Sequence, residues 1–224
     1  MKSNLIQVAG VQDAAEAEML LATGVDWLGF PFRLAHHQED LTEADAAEII
    51  RLFHLKDRAV VITYLNSADE IVQLCQKLGL SKVQLHGKIA RQELEKLRKF
   101  YSELFLIKSL IVGGEEPVFS LIGEFTLLVD AFITDTFDAG TGACGATGRV
   151  HDWQISRKIV VQSPRPVILA GGLNPQNVGR AIQQVQPAGV DAHTGLEDGA
   201  GRKDPVLVKA FVTEARAAFA AFDV

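Results

Sequence analysis

The sequence predicts a single (β/α)8 barrel over residues 1–224, and three observations carry that reading. Short β-branched runs alternate with longer segments of helical period from end to end, the pattern of repeated βα units around a parallel sheet. Eight such units fit the chain at roughly 28 residues apiece, the size of a closed barrel. The strand runs are nearly pure hydrophobe, as strands covered on both faces must be. With 48% apolar and 22% charged residues the chain has a folded protein's composition, and no linker or low-complexity tract divides it.

In order, the strands are expected at 5–8, 27–31, 59–64, 82–85, 104–109, 126–134, 166–170 and 189–192. Between them, apolar residues at three and four spacing mark helices at 13–22, 42–53, 67–78, 90–99, 174–185 and 204–219, with two shorter ones at 115–122 and 152–160. Asp13, Thr42, Ser67 and the pair Asn174-Pro175 stand where a short oxygen side chain or a proline starts a helix.

Twenty-two basic against twenty-eight acidic residues leave a net charge of −6, so no cationic field invites nucleic acid or anionic lipid. The first residues lead straight into a strand, without the apolar core of a signal peptide. Every apolar run is broken before the roughly 18 residues of a spanning helix. A cytoplasmic location without membrane partners is the expectation, in which Cys75 and Cys144 have no need to pair.

In a barrel, chemistry gathers where strands end and βα loops begin. The seventh and eighth units carry Leu169-Ala-Gly-Gly-Leu-Asn-Pro175 and Val190-Asp-Ala-His-Thr-Gly-Leu-Glu197. Glycine lets backbone N–H groups approach an anion closely, so Gly171, Gly172, Asn174, Thr194 and Gly195 are expected to hold a phosphate. The alternative is that these glycines only make tight turns. Gly140-Thr-Gly-Ala-Cys-Gly145 fits GxGxxG but follows the sixth strand, so a lid or ligand loop suits it better than a dinucleotide site.

Together these residues resemble the phosphoribosylanthranilate isomerases of tryptophan biosynthesis along nearly the whole chain. The matching stretches include Ile6-Gln-Val-Ala-Gly10, Gly24-Val-Asp-Trp-Leu-Gly-Phe30, Val83-Gln-Leu-His-Gly87, Asp130-Ala-Phe-Ile-Thr-Asp135, Gly145-Ala-Thr-Gly-Arg-Val-His-Asp-Trp153 and the two glycine loops. The resemblance implies an Amadori rearrangement of a phosphorylated aminoaldose, without cofactor or metal. It also implies an acid at the end of strand six, where Asp135 stands, and a cysteine base at the end of strand one. Here that position is Ala9, whose methyl group accepts no proton.

A second departure follows strand two. The family's basic segment, implied to hold the anthranilate carboxylate, is replaced by residues 34–41, which include Gln38, Glu39 and Asp40; Arg33 lies close but precedes the matching position. His193 is new at the eighth strand end and is expected to serve as the replacement base, with Asp135 as the acid. His36 and His37 are further candidates, and Cys144 is a displaced thiol. His86 is shared with the family and is read as a polar site residue. Imidazoles with Asp135 would also suit a divalent metal, though no HxH or HExxH spacing supports one.

The two losses predict a cofactor-free isomerase whose phosphorylated sugar-type substrate has changed, as a monomer or homodimer. The alternatives are a phosphoribosylanthranilate isomerase with a relocated base, and a non-catalytic barrel that binds a phosphometabolite.

Overall fold

The computed structural model describes residues 4–34, 39–113, 117–138, 143–144 and 151–221. Its strands are β1 (Leu5–Ala9), β2 (Trp27–Phe32), β3 (Ala59–Thr63), β4 (Lys82–Leu85), β5 (Phe105–Val112), β6 (Ala131–Asp138), β7 (Val167–Leu169) and β8 (Gly189–Ala192). Each pairs in parallel with the next. β8 then returns to β1, with Ile6 opposite Val190 and Gln7 opposite Asp191, and this pairing closes the barrel. A two-residue stretch, Ala143–Cys144, lies antiparallel to the end of β6 and has no counterpart in the sequence reading.

The helices are α1 (Ala14–Thr23), α2 (Glu43–Leu52), α3 (Ala68–Leu78), α4 (Arg91–Phe100), α5 (Val118–Phe125), α6 (Trp153–Gln162), α7 (Val178–Val185) and α8 (Pro205–Ala220). Asp13 and Thr42 cap as expected, accepting from the N–H groups of Glu16 and Asp45. Ser67 occupies its cap position without accepting a bond; Glu93 on α4 takes the Ala68 N–H instead, at 2.8 Å. Asp204 accepts from Val206 and Leu207, with Pro205 in the first turn.

Two expected boundaries are corrected. Residues 126–128 are a turn and not the start of a strand, because their carbonyls are held by arginines: Arg165 Nε donates to Thr126 O at 2.7 Å and Arg98 Nε to Leu128 O at 2.6 Å. α7 starts at Val178, with Asn177 and not Asn174 at its cap, because both asparagine side chains are spent on the preceding turn.

Inward-facing residues change character along the barrel axis. The floor is apolar, formed by Leu5, Trp27, Val60, Ile107, Ala131 and Ile133 with Ile168 and Ala170. Two residues further along the strands stand Gln7, Gln84 and Asp191, all buried, with Gln7 Nε2 donating to Gln84 Oε1 at 3.1 Å. At the C-terminal end come His86, Ser109 and Asp135. The larger core lies between strands and helices, around Phe30, Phe32, Phe132 and Phe211.

Candidate active site at the barrel mouth

Asp135 points inward from β6, three residues before the strand ends, and is 9% exposed. Burial raises its pKa, while the neighbouring His86 and a bond from its own strand's backbone work against the rise. That bond runs from Thr136 N–H to Asp135 Oδ1 at 2.7 Å. His86 Nε2 lies 3.6 Å from Asp135 Oδ2, and its Nδ1 is 3.0 Å from Ser109 Oγ. The ring of Tyr64 meets His86 edge-on with centroids 4.8 Å apart. His86 is thus seated on three sides against the carboxyl.

A second carboxyl, Asp191, was not singled out in the sequence. It faces inward from β8, two residues before His193, and its Oδ1 is buried with no hydrogen-bond partner. Burial raises its pKa well above the ordinary value of 3.8, and the charge of Asp135 adds to the rise against Gln7 and Lys203. The signal for it is parity: a residue two before a mouth-facing strand end faces the same interior.

Ala9 ends β1 with its methyl packed over Gly29 of β2. Gly10, the next residue, is covered from the other side of the β8–β1 seam. A side chain on Gly10 would collide with the His193 ring, which lies directly over the Gly10 backbone, and Gly10 adopts φ +80. The imidazole therefore stands over the residue that follows strand one. His193 Nε2 is 3.3 Å from Glu197 Oε1, and that oxygen also accepts from the buried Lys203 Nζ at 2.7 Å.

The two glycine loops meet. A Cβ on Gly195 would strike the carbonyl of Leu173, so only glycine lets the β8 loop lie against the β7 loop. Gly171 and Gly172 take positive φ, +99 and +64. Asn174 shapes the turn, accepting from Gln176 N–H at 2.9 Å. Asn177, missed in the sequence, fastens it: its Nδ2 donates to Gly172 O and its Oδ1 accepts from Asn174 N–H, both at 2.9 Å. Thr194 opens a short 3-10 turn, Thr194–Leu196.

Arg33 is not brought to this group. It takes φ +56, and its guanidinium is bound to Glu43 on α2 at 2.6 Å, which Lys77 also pairs. His36 and His37 lie outside the described residues, as does nearly all of 140–145, including the side chain of Cys144. Cys75 packs in the core, where burial pushes its thiol up to about 12. Among the described residues no three His, Cys, Asp or Glu side chains gather as ligands for one ion, and no helix is long and apolar enough to cross a membrane.

The sequence profile of the N-(5'-phosphoribosyl)anthranilate isomerase family matches residues 6–214. The chain belongs to this family. N-(5'-phosphoribosyl)anthranilate isomerase 2 of Methanosarcina mazei is 40% identical over 212 residues, which cover 94% of this chain and 93% of that one. Among solved structures, a phosphoribosylanthranilate isomerase from Thermotoga maritima superposes with a TM-score of 0.79 at 26% identity, covering 97% of this chain and all of the other. Another structure of a phosphoribosylanthranilate isomerase, in complex with reduced 1-(o-carboxyphenylamino)-1-deoxyribulose 5-phosphate, gives 0.76 at 25% identity and covers 97% of this chain and all of that one. This family member and those relatives thus share the closed (β/α)8 barrel.

Proposed function

We propose that this protein catalyses the isomerisation of phosphoribosylanthranilate itself, with its base moved from strand one to strand eight. The single observation that carries the reading is the His193 ring over Gly10, the residue that follows Ala9. Similarity at 40% identity over almost the whole chain supports retention of the family reaction over a changed substrate.

In this reading the phosphate rests on the loops of Gly171, Gly172, Thr194 and Gly195, with Asn174 shaping the first. Asp135, whose pKa burial raises, gives its proton to the ring oxygen as the C1–O bond breaks and the nitrogen lone pair forms a C=N bond. His193 then takes the proton from C2, and those electrons neutralise the iminium to an enolamine, which tautomerises to the ketone. His193 Nε2, the ring atom nearest Gly10, also lies 3.3 Å from Glu197 Oε1, a carboxylate that favours the imidazolium formed when the ring accepts the proton.

The test is turnover of phosphoribosylanthranilate by the purified chain, followed by loss of its fluorescence. His193→Ala should lower kcat by about 100-fold or more, and adding Ala9→Cys to that variant should recover at least about tenfold. Phosphate binding without turnover in the parent chain would overturn the reading in favour of a silent binding barrel.

A further inference from the structure

The loop between β6 and α6 rejoins the described chain at His151, a half-buried residue with no part in the proton transfers above. Its Nδ1 lies 3.0 Å from Thr136 Oγ1 on β6, and its Nε2 lies 2.5 Å from Ser156 Oγ in the first turn of α6. One ring thus clasps both ends of the loop. Each neighbour is a hydroxyl, which both donates and accepts, so a neutral imidazole is satisfied in either tautomer. Burial holds the ring neutral, with its pKa lowered to about 4.

A third element rests on the same clasp. A Cβ on Gly171 would overlap Thr136 Oγ1 and come within 3.0 Å of His151 Nδ1, so the backbone of the β7 loop lies directly on the Thr136–His151 pair. Thr136 also donates its N–H to Asp135. The glycine loop and the acid therefore share Thr136 as one support, and His151 braces that support and the Gly171 backbone from the far side. A substrate held by its phosphate and protonated several bonds away needs that spacing fixed, since small misplacements are costly.

We infer that His151 is a positioning residue that sets the distance between the Gly171 loop and the Asp135 carboxyl through Thr136. The inference rests on the reading of that loop as the phosphate anchor. His151→Phe keeps the bulk and loses both hydrogen bonds. It should raise KM and the half-saturating concentration of inorganic phosphate, read by thermal protection, at least about fivefold each, with a smaller fall in kcat. His151→Gln, with one donor and one acceptor, should recover most of the phosphate affinity. Ser156→Ala, which keeps the ring and removes its far partner, should move KM in the same direction by less. KM and phosphate affinity within about twofold of the parent in both His151→Phe and Ser156→Ala would overturn the inference while leaving the anchor intact. Failure of the parent chain to bind inorganic phosphate would instead overturn the anchor, and the inference with it.

Discussion

Two carboxyls face the same interior, and they hold their protons unequally. Asp191 is buried without a partner on Oδ1 and feels the charge of Asp135, whereas Asp135 has His86 and the Thr136 N–H to favour its ionised form. Asp135 is thereby the more easily ionised of the two, which suits the acid role proposed for it. Asp135→Asn keeps the shape but has no carboxyl proton, so kcat should fall at least about 100-fold with phosphate affinity unchanged; a variant retaining most of its rate would remove Asp135 as the acid. Asp191 makes a prediction on stability. Its folded pKa lies above the unfolded one, so the stability it contributes is complete below about 3.8 and is lost as pH rises through the folded value. Thermal melts between pH 5 and pH 9 should therefore show Asp191→Asn gaining on the parent as pH rises. Equal slopes for the two would show that Asp191 ionises without cost.

At the scale of elements, the strands are legible in the sequence because burial on both faces leaves them almost nothing but hydrophobes, and β4 and β8 fall at the expected residues. Where a side chain has a choice of backbone partners, the reading slips. Asn174 reads as a helix start, yet the bonds between it and Asn177 build a turn and delay α7 by four residues. His193 is legible as a strand end and Asp135 as an inward position in the sixth strand, while the partners that set the behaviour of Asp191 and His151 are not, because they come from other strands and helices whose register only the closed barrel supplies. Arg33 shows the converse: it is near the mouth in sequence, but a left-handed backbone turns it onto Glu43. The contact between the two glycine loops carries its own prediction. Gly195→Ala would force the Leu173 carbonyl aside, so KM should rise about tenfold with kcat less affected; an unchanged KM would separate this contact from substrate binding.

At the scale of the whole molecule, closure of β8 onto β1 does more than complete a sheet, since it brings the imidazole of the last strand over the end of the first. An open sheet with the same strands would leave those residues at opposite edges. The protein's net charge of −6 gives an anionic substrate no general attraction, so the proposed function leaves recognition to the local backbone of the two glycine loops. The apolar floor sets the direction of traffic. Leu5, Trp27, Ile107 and Ile133 with their neighbours stopper the barrel at one end, which makes the interior a cul-de-sac. Whatever enters past the loops must back out by the same door before the next molecule can come in. Under the proposed function, the aminoketose product should accordingly inhibit as a pure competitor, raising the apparent KM in proportion to its concentration while kcat stays constant; a fall in kcat with added product would mean that both can be aboard at once.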